Sequence, residues 1–118
     1  MTSTVACVNG IGVHAGAIPA GDNAHVLTIT GLSATYEGLA VTGHVATEDG
    51  HTNMAAADPT GTIASGSVEM TADLDTAAMA ELMRTGRTTA ANGRLTVCVT
   101  ATGAVVCVAP LTIVPAAG

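Results

Sequence analysis

The chain is 118 residues long, and 23 Ala, 19 Thr and 14 Gly make up almost half of it. Charged residues are only 10% and mean hydropathy is +0.51, which excludes a disordered chain and points to a single domain. Nine acids against three arginines give a net charge of -6, the wrong sign for a nucleic-acid partner, and no apolar run approaches the roughly 20 residues of a membrane-spanning helix.

The opening MTSTVACVNG has no basic segment and no continuous apolar run, so no secretory signal is expected. Thr4 to Val8 reads as a short strand. Residues 9–23 hold Gly10, Gly12, Gly16, Pro19 and Gly21 and read as a Gly-rich arm or long loop. Ala24 to Thr30 alternates, with His25, Leu27 and Ile29 on one face and Thr28 and Thr30 on the other, as a half-buried strand does. Gly38 to Thr47 repeats the pattern, with Leu39, Val41 and Val45 inward and Ala40, Thr42 and His44 outward. Residues 48–60 contain Asp49-Gly50, Asn53 and Asp58-Pro59 and predict a long mobile loop.

Gly61 to Met70 predicts a strand bent near Gly66, with Ser65 in the bend. A helix over about 76–84 follows: Asp75 stands at the N-cap, and Met79, Leu82 and Met83 recur at helical spacing. Leu74 is placed to staple against Met79, and Gly86 sits where a left-handed C-terminal residue belongs. Arg84, Arg87 and Arg94 then fall at and just after the helix end, where cations are favoured. Arg94 to Thr100 and Ala104 to Ala109 predict a closing hairpin around Thr102-Gly103, and Leu111 to Val114 an edge segment. In that register one face carries Leu95, Val97, Val99, Val106 and Val108. The other carries Thr96, Cys98, Thr100, Val105, Cys107 and Ala109, and neither bears a charge.

Strands without βαβ alternation predict a mainly β chain: one domain over 1–118, a small Ig-like or jelly-roll-type β-sandwich with one short helix. With 25 Val, Ile and Leu, five Met and no Phe or Trp, its core is thin, and burial against another subunit is the expected supplement.

Cys7, Cys98 and Cys107 have no CxxC spacing, which argues against a zinc site. A two-residue turn would set Cys98 opposite Cys107, where a bridge is geometrically possible, though two small buried thiols are the expected state. His14, His25, His44 and His51, with Glu48 and Asp49 near His44, match no metal-ligand spacing. His25 is expected half buried with one nitrogen satisfied, and His51 as a solvated turn residue. Asp73 and Asp75 fit helix capping better than paired acid and base. G-x-S-x-G, GxGxxG and Walker-type loops are absent, the nearest being Asn9-Gly10-Ile11-Gly12 with no helix after it. No catalytic, cofactor or metal residue is therefore assigned, and an enzyme is not expected.

From SGSVEMTADLDTAAMAELMRTGRTTAANGRLTVCVTATGAVVCVAPLTIVPA, about the last 50 residues, the chain resembles the β-sandwich structural proteins of tailed phages. The likeness lies in element order and the Asp73-Leu74-Asp75-Thr76 helix start. The resemblance implies a non-enzymatic virion protein, made in the host cytoplasm: a capsid decoration protein or a small tail or fibre module. It would contact copies of itself and a major capsid or tail protein, with neither nucleic acid nor membrane as partner. The alternative is a stand-alone Ig-like module binding a glycan or protein at a bacterial surface. Its loops should then be rich in aromatics, and Tyr36 is the only aromatic in the chain.

Overall fold

The computed structural model describes residues 2–48, 51–84 and 91–114, with the side chains of 82–84 and 91 outside the description. Nine strands are present among them: β1 (Thr2–Val8), β2 (Ile11–Ala15), β3 (Ile18–Pro19), β4 (His25–Thr30), β5 (Ala40–Thr47), β6 (Thr60–Thr62), β7 (Val68–Ala72), β8 (Ala91–Val99) and β9 (Val105–Val114). A 3-10 turn spans Ala34–Tyr36, and the helix α1 covers Ala77–Arg84.

All strands join one sheet in the order β6-β5-β8-β9-β2-β1-β4-β7, with β3 pairing β9 from outside that path. Two facing sheets of an Ig-like or jelly-roll sandwich were expected, and a single sheet rolled into a nearly closed barrel is found. The rolling is possible because the two edge strands, β6 and β7, are chain neighbours. Their connection tightens through the Ala64 to Ser67 bridge, with Ser65 (φ 53°) and Gly66 (φ 73°) in the left-handed region. The strand predicted to bend near Gly66 is thus two strands and a tight turn. Both Glu37 carboxylate oxygens accept from that turn, from the Ser65 amide at 2.7 Å and the Gly66 amide at 3.1 Å.

Alternation decides what faces inward. Ser3, Val5 and Cys7 of β1, His25, Leu27 and Ile29 of β4, and Val68, Met70 and Ala72 of β7 are buried, with more exposed residues between them. Val41 and Val45 of β5 point inward as expected, whereas Leu39 precedes the strand and is exposed. The molecule measures 43 × 23 × 23 Å, and side chains no larger than Leu, Ile, Met and His fill the barrel.

Residues 9–23 are not an arm. Asn9 (φ 53°) and Gly10 (φ 81°) make a two-residue hairpin turn, and β2 lies between β1 and β9 as a wall strand. Gly12 is fully covered on this strand. A β-carbon there would come within 2.6 Å of Val5 Cγ1, 2.8 Å of Ala109 Cβ and 3.0 Å of Cys107 Sγ. β1 and β9 approach closely over that glycine, and Cys7 and Cys107 form a disulfide there with Cα atoms 6.4 Å apart.

The predicted Cys98 to Cys107 pairing is therefore corrected. Val99 donates its amide to Ala104 and Gly103 donates to Val99, so the loop is longer than two residues. A bulge then leaves Cys98 opposite Val105 and Val97 opposite Cys107. The extra residue turns Cys107 and Ala109 inward and Val108 outward, reversing the expected faces there. Cys98 keeps a free thiol.

Residues 51–60 contain no regular strand before Thr60, yet they are pinned. Met54 is fully buried and donates its amide to Val45, Ala56 donates to Asp73, and Gly43 donates to Pro59. The helix begins within one residue of expectation, but Thr76 caps it: its Oγ1 accepts from the Met79 amide at 3.2 Å and donates to the Met54 carbonyl at 2.8 Å. Asp75 instead donates its amide to Asp73 Oδ1. Leu74 and Met79 are both buried. Leu82, Met83 and Arg84 as side chains, with Gly86, Arg87, Asp49 and Gly50, lie outside the described residues. Arg94 sits mid-strand on β8, well past the helix, and is exposed.

Candidate functional site

Two features carry chemistry, and the first is at the end of the barrel that also holds α1. There β1, β2, β4 and β9 bring Ser3, His14, His25 and the Thr112 amide together, with Asp22 just ahead of β4. The Thr112 amide donates to His14 Nδ1 at 3.1 Å. An amide can only donate, so Nδ1 is the acceptor and a neutral His14 carries its hydrogen on Nε2. His14 Nε2 then donates to Ser3 Oγ at 2.8 Å. At the other end, Asp22 Oδ2 can only accept, so His25 Nδ1 donates to it at 3.0 Å. His25 Nε2 is left to accept the Ser3 hydroxyl hydrogen at 2.8 Å.

A fixed donor at one end and a fixed acceptor at the other thus set every hydrogen in the chain, provided both imidazoles are neutral. Burial, with the nearby His25 adding to it, lowers the pKa of His14 below the ordinary histidine value. Burial pushes the Asp22 carboxyl upward, but the hydrogen bonds from His25 and the Ala24 amide outweigh this, and its pKa lies below the ordinary value.

Ser3, His25 and Asp22 have the connectivity of a nucleophile relay. A nucleophile must also meet its substrate. Ser3 is 4% exposed, His25 is 0% exposed, and the Ser3 hydroxyl is engaged on both sides. An open groove of about 450 Å³ lies elsewhere, lined by residues including Asp58, Glu69 and Asp73, and none of the network residues line it.

The second feature is the outer wall. All nine acids lie between Asp22 and Glu81. The contiguous strands β8-β9-β2-β1, about half of the barrel's circumference, contain no acid and a single arginine, Arg94. Val8 and Ile11 are each 69% exposed, Val13 is 68% and Val105 is 54%, and all four belong to this wall.

His44 lies on the outer face of β5, where its Nδ1 meets Asp58 Oδ1 at 3.2 Å while Asn53 donates to the same oxygen. Glu48 and His51 are exposed nearby. Among the described residues no three of His, Cys, Asp and Glu are grouped to hold a metal ion. Nor does any helix of the described residues have the length and apolarity to cross a membrane.

The chain matches no family model, no curated protein and no solved structure.

His25 was expected half buried with one nitrogen satisfied, and it is fully buried with both nitrogens bonded. Ser3 lies outside the strand that Thr4 to Val8 predicts, although the alternation Ser3, Val5, Cys7 continues it. Cys7 had no assigned partner, because its partner's orientation depends on a bulge that composition does not disclose.

Proposed function

We propose that this protein is a non-enzymatic structural protein that works by assembly, docking the β8-β9-β2-β1 wall against other subunits. In the setting that the resemblance implies, it is a capsid decoration protein of a tailed phage, contacting copies of itself and the major capsid protein. The observation that carries the reading is the exposure of Val8, Ile11 and Val13 on a wall without carboxylates, in a chain of net charge -6. Copies of net negative charge repel least where they carry no carboxylates, and contiguous exposed apolar residues mark contact surfaces.

Magnitude favours a lattice over an isolated pair. Burying four such side chains gains on the order of 6 kcal/mol. Immobilising a free partner costs about 4 to 15 kcal/mol. One such contact is near break-even, and a subunit held at several points on a particle gains from each of them. The disulfide agrees with this setting, since such bonds persist at virion and cell surfaces.

The test is light scattering coupled to gel filtration, then cosedimentation with empty heads of the parent phage. Wild type is expected to self-associate or to sediment with the heads, and Ile11→Glu/Val13→Glu to remain a free, folded monomer. Equal sedimentation of both chains, or a wild-type monomer that binds only a glycan, would overturn the reading.

A further inference from the structure

The hydrogen-bond chain at the helix end ties together strands that are far apart in sequence. Ser3 belongs to β1, His14 to β2, His25 to β4 and Thr112 to β9, and every hydrogen in the chain is committed. We propose that Asp22, His25, Ser3 and His14 form an acid-released clasp, which holds the start of β1 in the barrel only while both imidazoles are neutral.

A proton on His14 Nδ1 turns the 3.1 Å contact with the Thr112 amide into donor against donor. A proton on His25 Nε2 makes that nitrogen a second donor to Ser3 Oγ, which already accepts from His14. The Ser3 hydroxyl hydrogen, in a site 4% exposed, then loses its acceptor. Each protonation breaks one link, and both reach the same serine.

Exposed Asp73 and Asp75 flank Leu74, whose amide donates to the Asp22 carbonyl, and α1 at this end carries the exposed Glu81. His14 is the only titratable residue of β2, and β1, β3 and β9 contain none besides the bridged Cys7 and Cys107. On β4 there is His25, backed by Asp22. On β7 there is Glu69, exposed and opposite Thr28, on the face away from the inward His25. Burial and the neighbouring His25 oppose a charged His14, so the stabilisation lost on acidification is that of keeping a proton off His14.

The sign is that of a base whose folded pKa is depressed. The contribution is complete above the unfolded value of about 6.5 and is lost as pH falls through the lower folded value. In that window the folding equilibrium constant falls by up to about tenfold per pH unit for each proton excluded.

The test is urea unfolding of the full, disulfide-intact chain at several values between pH 8 and pH 5. The wild-type midpoint is expected to fall below about pH 6.5. His14→Gln should lose most of that slope, the remainder belonging to His25, while His44→Gln and His51→Gln keep the wild-type slope. A wild-type midpoint that does not change, or a His14→Gln slope equal to wild type, overturns the proposal. Should His14→Gln not fold, NMR titration of the wild-type imidazoles decides: a depressed His14 pKa with earlier amide exchange at Ser3 to Val5 on acidification supports the clasp. An ordinary His14 pKa with unchanged exchange overturns it.

Discussion

At Gly12 one methyl group separates a closed wall from a strained one. Its β-carbon would press on Val5, Ala109 and the Cys107 sulfur together, and none of the three is the free end of a long side chain that could swing away. Gly12→Ala is expected to destabilise the barrel by more than about 2 kcal/mol, read from urea midpoints with the disulfide intact. Glycine in the sequence announced a loop, because the usual reading of a Gly-rich stretch is conformational freedom. Here the residue serves close approach, a property of neighbours 7 residues before and 97 after it. His25 shows the same limit: its place on the inward face of a strand was legible from Leu27 and Ile29. Its two hydrogen-bond partners were not, since Ser3 lies 22 residues away and Asp22 sits in a turn.

Among the elements, the start of α1 was the most legible, because apolar spacing is local, although its cap is Thr76 and not the expected Asp75. Thr76 does more than start the helix, since its hydroxyl also holds the Met54 carbonyl of the pinned segment. Thr76→Ala should therefore destabilise by about 1 to 2 kcal/mol, at the upper end for an N-cap. Met79→Ala should cost about 2 to 4 kcal/mol, because the side chain is buried against the core that Leu74 and Met54 share. Thermal and urea melts of each variant check both values, and a neutral Met79→Ala would place the helix outside the core. Strands β4, β5 and β8 were legible for a related reason, each showing a clean alternation. The closing hairpin was not, because one bulged residue exchanges the faces of everything after it.

For the whole molecule, closure of the sheet was illegible: it depends on which strands become neighbours, and the pairings of β9 with β2 and of β1 with β4 join segments apart in sequence. The bridge between Cys7 and Cys107 spans 100 residues and constrains nearly the whole unfolded chain. Reduction is expected to remove about 4 to 5 kcal/mol by loop-closure entropy, a large part of the 5 to 15 kcal/mol typical of a domain. Melting Cys98→Ser with and without reductant tests this without thiol exchange. The pairing of β2 with β9 has a kinetic side as well. Hairpin β1-β2 forms early from adjacent residues, yet Ile11 must wait for Val108, its partner on β9. Such contact order predicts slow folding, in the millisecond-to-second range of β-rich domains. Through that delay the hairpin's inner residues stay wet beside its outer apolar ones, so the nascent chain is most prone to aggregate just before its last strand arrives.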